Sequence, residues 1–292
     1  TYNLIEKRFF KLSYLIFLMG NKKRFDKIVS DIKSVKIQGA RNIAKAAFFA
    51  YSLIPTKNSI KKLLSLRPTE PMVEKVLSLV GKMSDKKIIE HFDSAQNQIN
   101  KYVLKLIKPN DRIFTHCHST NVSNALIFAK KSWAKFEVYN TETRPLFQGR
   151  KTANELRKAG IKVTMFVDSA MATAIEKGNS KDKVFVDKVF LGADALLTNG
   201  VINKIGSGML AELAYNHKIP FYVIADSWKF SKKKVPIENR SLNEVWNRAP
   251  KNVKIKNPAF EFVPEKYISG IVTELGIMKY RDFVKKMRKE KK

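Results

Sequence analysis

The sequence of 292 residues has one cysteine and only four histidines. Because a lone cysteine, Cys117, cannot form a disulfide within the chain, we expect a reducing compartment and a cytoplasmic protein. Long apolar runs are also missing. The longest run near the start, YLIFLMG at Tyr14 to Gly20, is far shorter than the roughly 20 residues that a membrane span requires. We therefore expect neither a membrane protein nor a disulfide-stabilised secreted one.

Acidic residues are scarce: 26 Asp and Glu stand against 56 Lys and Arg, which gives a formal charge of +30. The excess is spread along the chain, with +13 in residues 1–105 and +17 in residues 106–292. A nucleic-acid-binding face is more often concentrated, and the sequence has no zinc finger, RNA-recognition signature or aromatic-basic repeat. Nucleic acid is therefore not expected as the main partner, whereas the charge favours attraction of anionic small molecules.

The spacing of apolar residues changes near residue 105. Before that point helical spacing recurs, as at Ile43, Ala46, Ala47 and Ala50. After it, short β-rich runs such as RIFTHC and FYVIADS alternate with segments long enough for a helix, such as TNVSNALIFAKKSWA. The alternation predicts an α/β protein in which an N-terminal helical domain (1–105) precedes a Rossmann-like catalytic domain (106–292), a parallel sheet with helices on both faces.

Polar residues follow five of the predicted strands, in the segments HCHSTN, NTETRPLFQGRK, DSAM, ADALLTNGVINKIGSG and DSWKF. In open α/β sheets the ligand lies beyond the carboxyl ends of the strands, so we expect these segments to converge on one crevice. Arg144, Lys204 and Lys229 suit a phosphorylated ligand, because charge-assisted hydrogen bonds to phosphate are strong.

The segment FTHCHST around Cys117 is open to several interpretations: a metal site, a catalytic thiol or a core cysteine. His116 and His118 share a face of a strand, but Cys117 would point the other way and no further ligand cluster is visible, so no metal is expected. Asp168 and Asp226 fit carboxylates behind the site or, more commonly, helix N-caps. Packing roles are predicted for the three tryptophans, Trp133, Trp228 and Trp246.

Six motifs in order carry a family resemblance: THCHS, TETRPLFQG, VDSA, GADALLTNGVINKIG, ADSWKF and NPAFEFVPEKYISGIVTELG. Together they closely resemble the archaeal ribose-1,5-bisphosphate isomerases. That group shares a superfamily with methylthioribose-1-phosphate isomerases and with the regulatory subunits of the exchange factor for translation initiation factor two. The resemblance extends from Ile32 to about Gly276.

The resemblance implies a catalytic pair, Cys117 and Asp194, which the regulatory subunits generally lack. It implies conversion of ribose 1,5-bisphosphate to ribulose 1,5-bisphosphate in AMP salvage, without a cofactor. The anomeric phosphate prevents opening to a free aldehyde, so an acid is needed at the ring oxygen. Asp194 would be that acid, protonated in apolar surroundings. Cys117 would accept hydrogen from C2 as a thiolate, with a pKa lowered by lysine or a helix amino terminus. Proton and hydride transfer both stay open.

The resemblance also implies a set of substrate contacts. They are Gln38, Gly39, Ala40, Arg41, Arg67, Ser119, Thr120, Asn121, Arg144, Gln148, Asn203, Lys204 and Lys229. The hydroxyls and amides of residues 119–121 come at a helix start, where phosphate binds readily. Gln38, His118 and Glu261 replace the usual family residues, which leaves the exact sugar phosphate open.

Alternatives follow from the same resemblance: an isomerase of another ribose 1-phosphate derivative, or a non-catalytic regulatory subunit. A homo-oligomer, either a dimer or a hexamer, and an AMP effector are expected as partners beside the phosphorylated ribose.

Overall fold

The computed structural model describes residues 20–175 and 185–289. Apart from Gly20, the apolar run Tyr14 to Gly20 lies outside the described residues. Within the described part, no helix is long and apolar enough to cross a membrane.

Five helices precede the first strand in the described part of the chain: α1 (Asn21–Lys33), α2 (Ala40–Leu53), α3 (Lys57–Leu66), α4 (Pro71–Leu79) and α5 (Asp85–Leu106). Side chains cap two of them: Thr56 accepts a hydrogen bond from the amide of Ser59, and Ser84 from that of Lys87. Their apolar faces meet in a core that includes Phe25, Ile43, Leu63, Met72 and Phe92.

Helix α5 belongs to two cores. Its first half places Ile88 and Phe92 among the N-terminal helices, whereas Ile99 and Val103 in its second half pack with residues of the sheet. The division of the chain into domains at about residue 105 stays a prediction.

The described residues form ten strands: β1 (Asp111–Thr115), β2 (Phe136–Thr141), β3 (Lys162–Phe166), β4 (Lys188–Leu191), β5 (Ala195–Leu196), β6 (Gly200–Lys204), β7 (Phe221–Ile224), β8 (Phe260–Pro264), β9 (Gly270–Thr273) and β10 (Gly276–Met278). Seven of them make one sheet in the order β10-β9-β7-β4-β1-β2-β3. Every neighbouring pair in it is parallel except β10 with β9.

Five more helices follow β1 in the described part: α6 (Thr120–Lys131), α7 (Gln148–Lys158), α8 (Met171–Ile175), α9 (Ser207–Asn216) and α10 (Tyr280–Lys289). One core cluster joins the sheet to α5, α6 and α7 through residues such as Val122 and Leu156. A second joins it to α8, α9 and α10 through residues such as Met171, Leu210 and Phe283. The predicted α/β fold with a Rossmann-like sheet covered on both faces is therefore confirmed.

A small antiparallel sheet of β5, β6 and β8 lies beside the large one. The sequence did not predict it, because two of its strands lie within the GADALLTNGVINKIG segment, which we expected to be a polar strand end. Its position is functional: β6 ends with Asn203 and Lys204, two of the predicted contact residues.

The strand order reverses between β1 and β4. The chain runs outward from β1 through β2 and β3, then returns to the other side of β1 as β4. Such a switch leaves a crevice at the carboxyl ends of the two central strands, the usual ligand position in open α/β sheets. Cys117 follows β1 and Asp194 follows β4, so the topology brings this pair to one place.

Candidate active site

A pocket opens at the switch point, and it is walled by loops from both halves of the chain. Fourteen of the fifteen predicted site residues line it: Gln38, Gly39, Ala40, Arg41, Arg67, Cys117, Ser119, Thr120, Asn121, Gln148, Asp194, Asn203, Lys204 and Lys229. Arg144 is not among the lining residues; its guanidinium lies 4.9 Å from the ring centre of Phe147. Asp168 fixes this loop by accepting hydrogen bonds from the amides of Thr143 and Arg144, at 2.8 and 2.6 Å.

Cys117 adopts a left-handed backbone conformation with φ of 66°. A non-glycine residue in this region is strained, and such strain is concentrated at functional sites. The surrounding loop holds the conformation: the amide of Cys117 donates to Thr143 Oγ1 at 3.0 Å, and Thr152 Oγ1 donates to its carbonyl at 2.9 Å. His116 is buried between the Thr141 hydroxyl and the carbonyl of Ile205, so it braces the loop.

Cys117 is half-buried and lines the pocket, and enclosure by protein and the negative charge of Asp194 raise the pKa of its thiol to about 12. The amide of His118 and the charge of Lys204 act in the opposite direction and are outweighed. The sequence-based expectation of a lowered pKa was therefore wrong. Loss of solvation is the larger effect, and it is a tertiary property.

The carboxyl of Asp194 has a raised pKa because it is enclosed by protein, although Lys229, Arg67 and Lys204 oppose the shift. The direction agrees with the expectation of a protonated acid. Its surroundings are more polar than the apolar segment VFLGADALL suggested, since three basic side chains act on it.

Asn203 links Asp194 to Ser207. The side-chain amide nitrogen of Asn203 donates to Oδ2 of Asp194 at 3.2 Å and to the carbonyl of Gly192 at 3.3 Å, while its oxygen accepts from Ser207 Oγ at 2.8 Å. Ser207 Oγ also lies 2.6 Å from the carbonyl oxygen of Lys204. Asn203 therefore holds the Asp194 carboxyl in position and suits both of its protonation states.

Basic side chains form much of the remaining wall: Arg41, Arg67, Lys151, Lys204, Lys229 and Arg240. Lys229 lies in a 3-10 turn after β7, and its Nζ donates to the carbonyl of Ala193 at 2.6 Å. Arg41 forms an ion pair with Asp93 of α5. Burial lowers the pKa of Lys204. Near these cations, the hydroxyl of Ser119 caps α6 by accepting from the amide of Val122 at 3.4 Å.

Two other predicted contacts use their side chains within the protein. Gln38 donates to the carbonyl of Val35 at 2.9 Å, and Asn121 donates to Gln96 of α5 at 2.9 Å. Asn121 therefore ties α6 to α5.

Sequence reasoning missed three charged lining residues: Glu70, Lys151 and Arg240. Arg240 forms ion pairs with Glu238 and Glu244, and Glu238 Oε2 also lies 3.0 Å from Nε of Arg67. Glu70 is 3% exposed. Because Glu70 directly follows the RPT motif, the sequence could have placed it near the predicted contact Arg67. The burial of the Glu70 side chain could not be deduced from that spacing.

The expectation of no metal at the two histidines beside Cys117 rested on strand geometry, and the structure gives both of them protein partners. His118 Nδ1 lies 3.1 Å from Thr152 Oγ1, and burial lowers its pKa to about 3. Among the described residues, three potential ligands do approach one another elsewhere: His91, Asp226 and Glu274, within 4.8 Å. They hold the turn that carries Lys229.

The roles predicted for Asp226 and for the three tryptophans can be compared with their contacts and exposure. Asp226 caps the turn that carries Lys229 by accepting from the amide of Trp228 at 2.9 Å, and it contacts His91 Nε2 at 3.1 Å. Trp228 packs as predicted, with its ring stacked 3.5 Å from that of His91. The packing role predicted for the other two was wrong: Trp133 is 92% exposed and Trp246 is 50% exposed.

A Rossmann-like sheet whose switch point holds a thiol, a raised-pKa carboxyl and a basic wall is typical of an α/β enzyme that acts on a phosphorylated small molecule. The chain belongs to the Initiation factor 2 subunit family, whose sequence model matches residues 24–280. It is 33% identical to the ribose 1,5-bisphosphate isomerase of Methanocaldococcus jannaschii, in an alignment that covers 90% of this chain and 94% of that protein.

Other members extend the comparison. The chain is 33% identical to the methylthioribose-1-phosphate isomerase of Carboxydothermus hydrogenoformans, covering 91% of both proteins. The crystal structure of translation initiation factor eIF-2B from Pyrococcus horikoshii OT3 matches with a TM-score of 0.75 and 26% identity, over 88% of this chain and 97% of that one. The resemblance stated from the motifs and the prediction of an isomerase enzyme are confirmed.

Proposed function

We propose that this protein is an aldose-ketose isomerase that converts ribose 1,5-bisphosphate to ribulose 1,5-bisphosphate, with Asp194 as the acid and Cys117 as the proton-accepting thiol. The observation that carries the proposal is the meeting of these two side chains in one pocket walled by lysine and arginine. The relatives named ribose 1,5-bisphosphate isomerase support the choice of substrate class.

The first step opens the sugar ring. The proton of the Asp194 carboxyl moves to the ring oxygen, the bond between C1 and that oxygen breaks, and C1 becomes an oxocarbenium centre. An acid with a raised pKa keeps its proton until this step, which is the state that the surroundings of Asp194 favour.

The second step moves hydrogen away from C2. In one route the C2 hydrogen shifts to C1 as a hydride while the Cys117 thiolate takes the C2 hydroxyl proton. In the other the thiolate takes the C2 proton to give an enol, the thiol returns that proton to C1, and the C2 hydroxyl proton passes to the Asp194 carboxylate. In both cases Cys117 must accept a proton, so its thiol first has to release its own proton to water. Lys204 is the cation that favours ionisation, and the positive charge on C1 would add to it.

Six basic side chains in one pocket favour a bisphosphate over a monophosphate. Arg41, Arg67, Lys151, Lys204, Lys229 and Arg240 offer more donors than one phosphate can use. Methylthioribose 1-phosphate carries a single phosphate and an apolar end, and the apolar end would lie against charged side chains without offering them a partner.

The test is an assay of ketose phosphate formation with purified protein, in which ribose 1,5-bisphosphate, methylthioribose 1-phosphate and 5-deoxyribose 1-phosphate are each supplied and the corresponding 2-ketose is measured. We expect turnover of the bisphosphate, and loss of at least about a hundredfold in Cys117→Ser and Asp194→Asn. Glu74→Gln, on an exposed ion pair with Lys233 outside the pocket, is the control. Binding of the bisphosphate without turnover would contradict the proposal.

A regulatory subunit is the second candidate, because the similar Pyrococcus horikoshii structure is that of translation initiation factor eIF-2B. This role predicts a stable complex with a translation initiation factor and no sugar turnover. Purification of the tagged chain from native extract without any such factor would argue against it.

The proposal includes a place in AMP salvage, stimulation by AMP and assembly into a dimer or hexamer, all implied by the resemblance. Running the isomerase assay with and without AMP tests the effector. Light scattering after gel filtration tests the assembly, since the mass of one chain is 33.5 kDa.

A further inference from the structure

Glu70 has no role in the reaction described above, yet it lies in the wall of the pocket. It follows Arg67, Pro68 and Thr69 and occupies the position before α4, where its side chain makes no capping hydrogen bond. Only its backbone is engaged there: the amide of Glu70 donates to the carbonyl of Arg67 at 3.1 Å. The position is 3% exposed, so the carboxyl is held inside the protein without serving the helix.

The Glu70 carboxyl is poorly paired. Oε1 lies 3.8 Å from Nη2 of Arg67, beyond hydrogen-bonding distance. Oε2 is buried and has no hydrogen-bond partner among residues 20–175 and 185–289. Because buried polar atoms are almost always paired in native proteins, an unpaired carboxyl oxygen in a pocket wall indicates a partner that arrives with the ligand.

The charge state of Glu70 suits a phosphorylated ligand. Burial and the nearby charge of Asp194 raise its pKa to about 8, against the opposing effect of Arg67 and Lys229. At neutral pH the group is therefore mainly a neutral acid, which can both donate and accept a hydrogen bond. A neutral acid does not repel a sugar bisphosphate as a carboxylate would.

Ribose 1,5-bisphosphate offers Glu70 two kinds of polar group. Its phosphates suit the basic side chains of the wall, whereas its two free hydroxyls, at C2 and C3, both donate and accept hydrogen bonds as a neutral acid does. The C2 hydroxyl becomes the ketone, so in the proposed reaction it belongs with Cys117. Glu70 lies beside Arg67, and the charges that act on it are those of Asp194, Arg67 and Lys229, so we assign it to the C3 hydroxyl.

We propose that Glu70 is a specificity-determining residue that binds the C3 hydroxyl of the sugar and selects ribose phosphates over 3-deoxy analogues. The inference rests on the proposed function for the identity of the sugar. It concerns binding rather than turnover, so the two proposals can fail separately.

The test measures dissociation constants by titration calorimetry for ribitol 1,5-bisphosphate and its 3-deoxy analogue. Neither compound can isomerise. Because C3 is the central carbon of both, it occupies the same place in the pocket whichever phosphate binds at which end. Wild-type protein should prefer the hydroxylated compound by about tenfold or more. Glu70→Met, which keeps the volume and removes the polar atoms, should bind both compounds equally. Glu70→Gln, which keeps a donor and an acceptor, should retain most of the preference, and Glu74→Gln on α4 should match wild type.

Three results would overturn the proposal. One is equal binding of both compounds by wild type. Another is a Glu70→Met protein with weaker binding of both compounds and an unchanged ratio, which would mean that Glu70 only supports Arg67. The third is a wild-type ratio in Glu70→Ala, which removes the polar atoms and decides the question if Glu70→Met does not fold by circular dichroism. A C3 preference that depends on Glu70 without ribulose 1,5-bisphosphate formation would refute the isomerase and retain this site.

Discussion

The Cys117 thiol and the Asp194 carboxyl both bind their protons more tightly than free side chains do, because the protein around them replaces water. In the proposed reaction, the protonated form is the one that Asp194 needs as the ring-opening acid. It is the opposite of what Cys117 needs as the base, so ionisation of the thiol would have to accompany substrate binding.

Slow alkylation of Cys117 follows from its raised pKa. At pH 8 a pKa of about 12 leaves a thiolate fraction about a thousandfold smaller than that of an ordinary cysteine. We expect iodoacetamide to modify the native protein at least about a hundredfold more slowly than the protein unfolded in guanidinium, with faster reaction as pH rises. Mass spectrometry reads this directly, because Cys117 is the only cysteine and Cys117→Ser provides the blank. Rapid modification at neutral pH would instead support the lowered pKa expected from sequence.

The sequence predicted which residues line the pocket better than it predicted their pKa values. Cys117 and Asp194 are 77 residues apart, yet strand alternation sufficed to bring them together, because central strands of a parallel sheet end at one edge. The pKa of Cys117 could not be predicted, since it depends on which side chains exclude water. Glu70 escaped for the same reason: its burial comes from tertiary packing between the RPT segment and the sheet.

At the scale of elements, the pocket is shaped by the short loops that follow the strands and pack against neighbouring helices. The loop after β4 meets the start of α6 at Gly192, where an added Cβ would lie 2.5 Å from both Cβ and Oγ of Ser119. The turn at Ser227–Lys229 is held in a similar way by His91 of α5. The small sheet escaped prediction because β5 has only two residues, too few for a recognisable alternation of apolar and polar side chains.

Gly192→Ala should disturb both stability and ligand binding. The methyl group would push Ser119 away from the amide of Val122, so α6 would lose its cap at the edge of the pocket. We expect a loss of about 1–3 kcal/mol in the free energy of unfolding by urea and a higher KM for the sugar bisphosphate. Gly20→Ala is the matched control, because nothing lies within 4 Å of its added Cβ. Equal stability of the two variants would show that the loop after β4 can move aside.

At the scale of the whole molecule, the formal charge of +30 is a property that no single contact explains. Basic residues exceed acidic ones in both halves of the sequence, and the pocket itself is lined by six basic side chains. A positive surface around a positive pocket raises the local concentration of anionic ligands. The charge thus acts on the encounter with substrate rather than on the fold.

The second-order rate constant kcat/KM should therefore depend on salt while kcat does not. Between about 20 mM and about 300 mM salt the screening length shortens from about 20 Å to about 6 Å, so the attraction between the protein and a bisphosphate weakens. We expect kcat/KM to fall several-fold across this range, with the change confined to KM. Potassium chloride and potassium glutamate are compared at equal ionic strength, because a specific effect of chloride in the basic pocket would separate the two curves. A kcat/KM that stays constant in both salts would mean that the excess charge does not steer the substrate.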